Sequence, residues 1–441
     1  MSSEKEDLKA RICAEIDRRA EEIVRISDHI MRHPESGFRE TETARYVCRE
    51  LERMGLPYRA GLALTGVKAR LSGRAPGPTV GILGELDSLI VSDHPFADPT
   101  TGAAHACGHH AQVASMLGAG MGIQPVMDQL DGDVVLFAVP AEECIEVDWR
   151  LSLRQQKKVE FIVGKAELIR LGEFDDVDMV TITHTPARDD GSLATVGDTH
   201  NGCVVKRARF VGRAAHAGGA PHLGVNALKA ATLAMSAIEH QRETFRDEDG
   251  IRVHPIITRG GEAVSAIPAD VRVEMLVRGK TIEAIADASA KVDRSLRAGA
   301  LAMGATVEIT TISGYLPNHS DSNLVALAHA SCAAVVGQER MGVPRHVTGS
   351  TDVGDLSFIM PTVHPRSGGT RSTPHSSDYV VVDHRLAAVN PAKSMAMMVV
   401  DLLWDGAREA RRIIVEAGKK LGREEYVALR RRLDAYEVFG T

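Results

Sequence analysis

The segment HACGHH, residues 105–110, sets a thiol and an imidazole two positions apart, Cys107 and His109, with His105 and His110 on either side. A soft sulfur and an imidazole nitrogen on one short turn can grip a divalent ion without strain, and an ion there would keep Cys107 as thiolate. Taken alone, the segment reads equally well as a buried thiol beside solvent-facing histidines. PAEE, residues 140–143, offers the adjacent carboxylates Glu142 and Glu143. Neighbouring side chains diverge at a strand end, so one can bind metal while the other faces a water as general base. His184 in HTP and His375 in PHSSDY add two imidazoles, each unremarked on its own. In AAHAGGAPHLGVNAL, residues 214–228, His216 rides a glycine-rich turn that feeds a helix, from which it can donate to a developing oxyanion.

Three continuously apolar runs position most of these groups: TVGILGEL (79–86), DVVLFAVP (133–140) and DMVTITHT (178–185). Strands buried on both faces read this way, and the helical patterns between them predict a parallel sheet with crossover helices. Glu85 and Asp87 end the first run, Glu142 and Glu143 the second, and His184 the third. In open α/β sheets ligands bind beyond the carboxyl ends of strands, so three runs place chemistry on one rim.

Around this core, Leu8, Ile12, Ile16, Ile23, Ile26 and Ile30 form the stripe of one amphipathic helix from Glu4 to about Met31. A second helix is predicted from Thr41 to Met54, ended by Gly55. Between about Asn201 and Ser313 the pattern becomes strands (VVKRARFVG, VRVEMLVRG, TVEITTI) and two long helices, 225–243 and about 281–302. That β-α-β-β-α-β succession predicts an inserted α+β sandwich of ferredoxin-like form, residues 200–314, within a catalytic domain of residues 1–199 and 315–441. A late helix is predicted to open with Asn390 as cap and Pro391 at its first position.

At 441 residues the chain exceeds one ordinary core, in line with that division. A net charge of -7 argues against nucleic acid as partner and leaves a small neutral or locally anionic molecule open as substrate. No apolar run approaches the roughly 18 residues that span a bilayer, and the opening MSSEKEDLKAR is charged, so no membrane and a cytoplasmic setting are expected. Six sparse cysteines fit reduced thiols better than a disulfide framework.

In their order and separations, HPESGFRE, HACGHH, PAEE, HTP, AAHAGGAPHLGVNAL, GSTDVGDLS and PHSSDY resemble the metallopeptidase family of carboxypeptidase G, aminoacylase and the indole-acetyl-amino-acid hydrolases. The resemblance covers nearly the whole chain. Within the family, GKAELIRLGEFDDVD (164–178), PHLG, YLPN and STDVGDLS are especially similar to the B-type subunit of p-aminobenzoyl-glutamate hydrolase. It implies an α/β fold with a mixed, mostly parallel sheet, and hydrolysis of the amide of an N-acyl or aminobenzoyl amino acid. It also implies one or two divalent ions per subunit, zinc or manganese, held by Cys107, His109, Glu143, His184 and His375, with Glu142 as base. The insert is implied to mediate a homodimer or higher oligomer in which His216 reaches the partner's site and Arg278 lies near substrate. His110 and Asn226 are the other candidate substrate contacts; Asp87, Glu85 and His105 are candidates for orienting the ligands from behind.

The chain departs from the family pattern in three places. It has His110 and Gln112 where HACGHD and a second histidine are usual, it has Glu85 where an aspartate is common, and residues 144–161 have no catalytic counterpart. The first departure keeps open an aryl-amine aminohydrolase, such as one acting on 5-nitroanthranilate with release of ammonia. A non-catalytic, metal-stabilised binding protein is the remaining alternative.

Overall fold

The computed structural model describes residues 3–186 and 190–440. The chain divides into two compact units. The first comprises residues 1–199, 319–346 and 355–423, and the second residues 200–318, 347–354 and 424–441.

In the first unit the strand Ala75–Glu85 lies between Asp131–Val139 and Met179–Ile182, parallel to both. Thr362–Val363 continues the parallel side, while Gly66–Ser72 and Tyr58–Leu62 add antiparallel strands at the other edge. The sheet is therefore mixed and α/β in class. Pro78 through Glu85 are all buried, because helices cover both faces. The register pairs Glu85 with Val139 and Leu83 with Ile182, so all three apolar runs end at one rim.

The N-terminal stripe is buried throughout, but the single expected helix is two, Ser3–Arg18 and Ala20–Met31, broken at Arg19. Both halves press on the helix His109–Ile123, whose every residue is buried. Its glycines allow the approach: a Cβ on Gly118 would sit 2.7 Å from Ile23, and one on Gly122 2.5 Å from Ile16. Asn390 is not a cap. A π-helical turn starts earlier, at Arg385, and the Asp383 carboxylate caps it by accepting from the Arg385 and Leu386 amides at 2.9 and 3.0 Å. The helical segment from there to Glu416, broken by a kink at residues 404–407, has a stretch apolar enough to cross a membrane by length and composition, contrary to the sequence reading, but 72% of that stretch is buried as core.

The second unit is an antiparallel sheet in the order Arg252–Arg259, Asp270–Gly279, Thr199–Val211, Thr306–Tyr315, Ala435–Phe439. The first four follow the ferredoxin-like succession, with Ala227–His240 and Ile282–Met303 packed on one face. Val271, Val273, Met275 and Val277 alternate into that core. The fifth strand was not foreseen. The C-terminal segment, assigned by pattern to the catalytic domain, instead pairs along Thr306–Tyr315, where it covers an otherwise open sheet edge. Asp434 accepts from the Ser313 amide at 2.8 Å, and the buried Arg430 donates to its carbonyl at 3.0 Å.

Candidate metal centre

Gly108 sits at φ +86 as cap of the helix His109–Ile123, and a Cβ there would lie 2.2 Å from the Thr185 hydroxyl and 2.4 Å from that of Tyr379. Only glycine fits both demands. The tight turn it makes projects Cys107 and His109 from its two sides. His375, itself at φ +72, is tied to the same turn by its amide, which donates to the Ala106 carbonyl at 2.8 Å. Glu142 and Glu143 follow Ala141, a non-glycine residue at φ +52. His184 leaves the third strand, and its main chain bridges Arg366.

These segments converge on two groups that share the Cys107 sulfur. Cys107, His109 and His184 offer ligand atoms within 4.8 Å of one another, and so do Cys107, Glu143 and His375. Cys107 Sγ lies 3.2 Å from His184 Nε2, and His375 Nε2 lies 3.4 Å from Glu143 Oε1. A third group joins Glu85, His109 and Glu142. The structure thus brings together all five ligand candidates and places Glu142 at their side.

His109 Nδ1 faces the Asp87 carbonyl at 2.9 Å and its carboxylate at 3.3 Å, which leaves Nε2 as the nitrogen turned to the cluster. The other Asp87 oxygen accepts from the Glu143 amide at 2.8 Å, so one buried carboxylate orients both groups. Glu85 reaches His109 Nε2 at 3.2 Å and is held at 2.5 Å by Lys165, a fully buried ammonium. Lys165 lies in GKAEL, where nothing local in the sequence marks a lysine as buried.

The electrostatics ask for positive charge here. Burial opposes ionisation of Glu143, yet His375 and His109 outweigh it and hold the carboxyl well below its usual range. Glu143 in turn raises His375 well above an ordinary imidazole, and burial of His109 is overcome by Glu85 and Cys107, which raise it too. Glu143 Oε1 is buried, and its long 3.4 Å contact with His375 Nε2 falls short of a well-formed hydrogen bond. A sulfur, three imidazoles and acidic oxygens around such an atom suit one or two divalent ions of the zinc or manganese kind.

Of the departures from the family pattern, Glu85 faces the cluster at His109 Nε2, contrary to the expectation that it orients the ligands from behind. Gln112 is buried and accepts the Glu85 amide at 3.1 Å. His110, expected at the substrate, is 1% exposed, with His105 and His384 as its ring neighbours. Burial pushes it well below the usual value and takes His105 to about 3, so both stay neutral. Residues 144–161 form a helix, Val147–Gln155, whose Trp149 stacks under Arg39 at 3.7 Å and whose Arg150 donates to the Ile162 carbonyl.

The second unit carries the other candidates. His216 is exposed, and its Nδ1 accepts from the Gly219 and Gly218 amides at 2.9 and 3.2 Å, which places the ring proton on Nε2. Asn226 caps Ala227–His240 by accepting from the Lys229 amide at 3.0 Å, so its side-chain oxygen is already engaged. Arg278 lies near the end of its strand, opposite Cys203 and Arg252.

A model of the peptidase family M20/M25/M40 matches residues 81–386. The chain belongs to this family. It is 27% identical over 435 residues to a mouse (Mus musculus) Xaa-Arg dipeptidase, covering 92% of this chain and 91% of the relative. It is 28% identical over 319 residues to the B-type subunit of p-aminobenzoyl-glutamate hydrolase from Escherichia coli, covering 69% of this chain and 61% of the relative. Among solved structures, a dinuclear-metal-binding M20 peptidase of Bacillus subtilis shares the fold at a TM-score of 0.64 and 21% identity, covering 88% of this chain and 99% of that one. Membership makes the chain a hydrolase of carbon-nitrogen bonds acting on small molecules.

Glu40, which closes the HPESGFRE motif, was given no role by the sequence. Burial, and next to it the facing Asp87, raise its carboxyl to about 7. The folded value lies above the unfolded one, so the folded chain holds an extra proton from roughly pH 4.5 to 7, and the associated stability is lost as pH rises through that window. Glu40→Gln should flatten this slope. Between pH 5 and 8 the wild type should lose on the order of 1–3 kcal/mol relative to the variant in denaturant titrations; parallel curves would refute the assignment.

Proposed function

We propose that this M20 hydrolase cleaves the amide of an N-acyl, aminobenzoyl or dipeptide substrate at a centre held by Cys107, His109, Glu143, His184 and His375. The observation that carries the reading is the pair of ligand groups sharing the Cys107 sulfur with Glu142 beside them. When bound, a divalent ion supplies Lewis-acid activation of water and of the scissile carbonyl. Glu142 takes the proton of the attacking water and passes it to the departing nitrogen, which must leave as a neutral amine. His216, with its proton on Nε2, donates to the oxyanion at the site of a second subunit, as the family resemblance implies. His216→Ala is expected to lower kcat by about 10²–10³ with metal content unchanged. Turnover within threefold of wild type would remove His216 from the chemistry.

Gln112 accepts from the Glu85 amide and the His110 ring packs beside His105 and His384, so neither departure is seen to offer a contact for an aryl amine. The test is product identification by mass spectrometry after the zinc- or manganese-loaded chain meets pooled acyl-amino acids, aminobenzoyl-glutamate, Xaa-Arg dipeptides and activated anilines. Carboxylate and amine products support the proposal; ammonia released from an aniline overturns it, and inertness toward the whole panel favours a binding protein.

We also propose that the second unit joins subunits into a homodimer or larger homo-oligomer. The edge strand Arg252–Arg259 exposes Ile256 and Ile257, 61% and 38%, and Val264 nearby is fully exposed. Sedimentation of a single monomeric species at micromolar concentration would refute this. The six cysteines form no disulfide with one another, and a reducing cytoplasmic setting is the reading we adopt.

A further inference from the structure

The segment 33–40 braces the rim of the catalytic sheet. The Ser88 amide donates to the Glu35 carbonyl at 2.9 Å, just beyond Asp87, and the Ser36 hydroxyl donates to Glu146 at 2.5 Å. At its end Glu40, fully buried, spends both oxygens on neutral donors: the Ala141 amide at 2.7 Å and the Thr65 hydroxyl at 2.7 Å. Ala141 is the residue whose left-handed backbone starts the turn into Glu142 and Glu143. Its carbonyl is fixed too, accepting from the Gly164 amide at 3.0 Å. A left-handed alanine is strained and persists only where its surroundings over-determine it. Glu40 grips the turn on one side of Glu142, and Asp87 grips the Glu143 amide on the other.

We infer that Glu40 is a positioning residue: by holding the Ala141 amide against Thr65 it fixes the turn that aims Glu142 at the substrate water and Glu143 at the metal. This rests on the proposed function for Glu142, but not for the grip itself. Among the described residues no cation pairs with Glu40, and the Asp87 that faces it is itself acidic, so its two hydrogen bonds are what hold it in place; a neutral glutamine can bridge the same two groups, accepting from Ala141 and donating to Thr65.

The test compares Glu40→Ala, Glu40→Gln and Thr65→Val in the full chain. It uses kcat and KM at saturating cobalt, cobalt affinity, and the thiolate-to-cobalt absorption band. Glu40→Ala is expected to lose about 10²-fold in kcat, as for a misplaced catalytic group, with KM within threefold and cobalt bound about tenfold more weakly. Glu40→Gln should recover to within about fivefold, and Thr65→Val should show a smaller loss of kcat with the fold intact. A purely structural role would lower thermal stability but leave kcat at saturating cobalt unchanged. Unchanged kcat in Glu40→Ala, or Glu40→Gln as impaired as the alanine variant, overturns the inference. If Glu40→Ala does not fold, unchanged kcat in Thr65→Val overturns it. If the wild type cleaves none of the panel, the proposed function fails on its own, and a wild-type cobalt band and affinity in Glu40→Ala would separately sink the role of Glu40.

Discussion

Glu142→Gln should retain its metal and lose turnover by about 10²–10⁴. The substitution keeps the shape of the side chain and its place beside His109 and Glu85, but an amide cannot accept a proton from water or return it to nitrogen. Glu143, not Glu142, belongs to one of the two groups that share the Cys107 sulfur, so ion binding should hardly change. Substrate affinity should hold as well, because the proton is exchanged only as the bond is made and broken. The decisive measurement is kcat alongside metal content on whichever amide turns over best. Full activity with glutamine would show that another group carries the proton, and loss of metal together with activity would recast Glu142 as a ligand.

The rim was legible because its evidence is local in sequence. Three apolar runs each end in a polar group, and strands buried on both faces must end where a mostly parallel sheet opens. Register then does the rest, aligning Glu85 with Val139 so that Asp87 and Glu143 meet. What pattern could not supply was anything set by distant pairing. Lys165 finds Glu85 across 80 positions, and Glu40 finds Ala141 across 101. Neither contact leaves a periodic trace. The C-terminal strand was missed for a similar reason: AYEVF is too short to declare itself until the open edge of Thr306–Tyr315 is seen. Asn390 misled because Asn-Pro reads as a helix start, whereas Asp383, seven residues earlier, makes the capping bonds.

Cys107 should prove the most consequential ligand, since both groups depend on its sulfur. Cys107→Ser keeps the volume where the side chain packs with Leu89, Ala106 and Tyr379, so the fold should survive. A hydroxyl does not ionise at neutral pH as a thiol can, and it replaces a soft donor with a hard one. Zinc affinity, read by chelator competition, should fall by more than about 10²-fold, the upper range for losing a mere supporting partner. Manganese prefers oxygen donors and should suffer less, so the ratio of the two affinities should shift toward manganese. That shift separates loss of a ligand from general damage, which would weaken both ions alike. Wild-type affinity for both metals in the serine variant would remove the sulfur from the centre, and with it the reason for treating the two groups as one site.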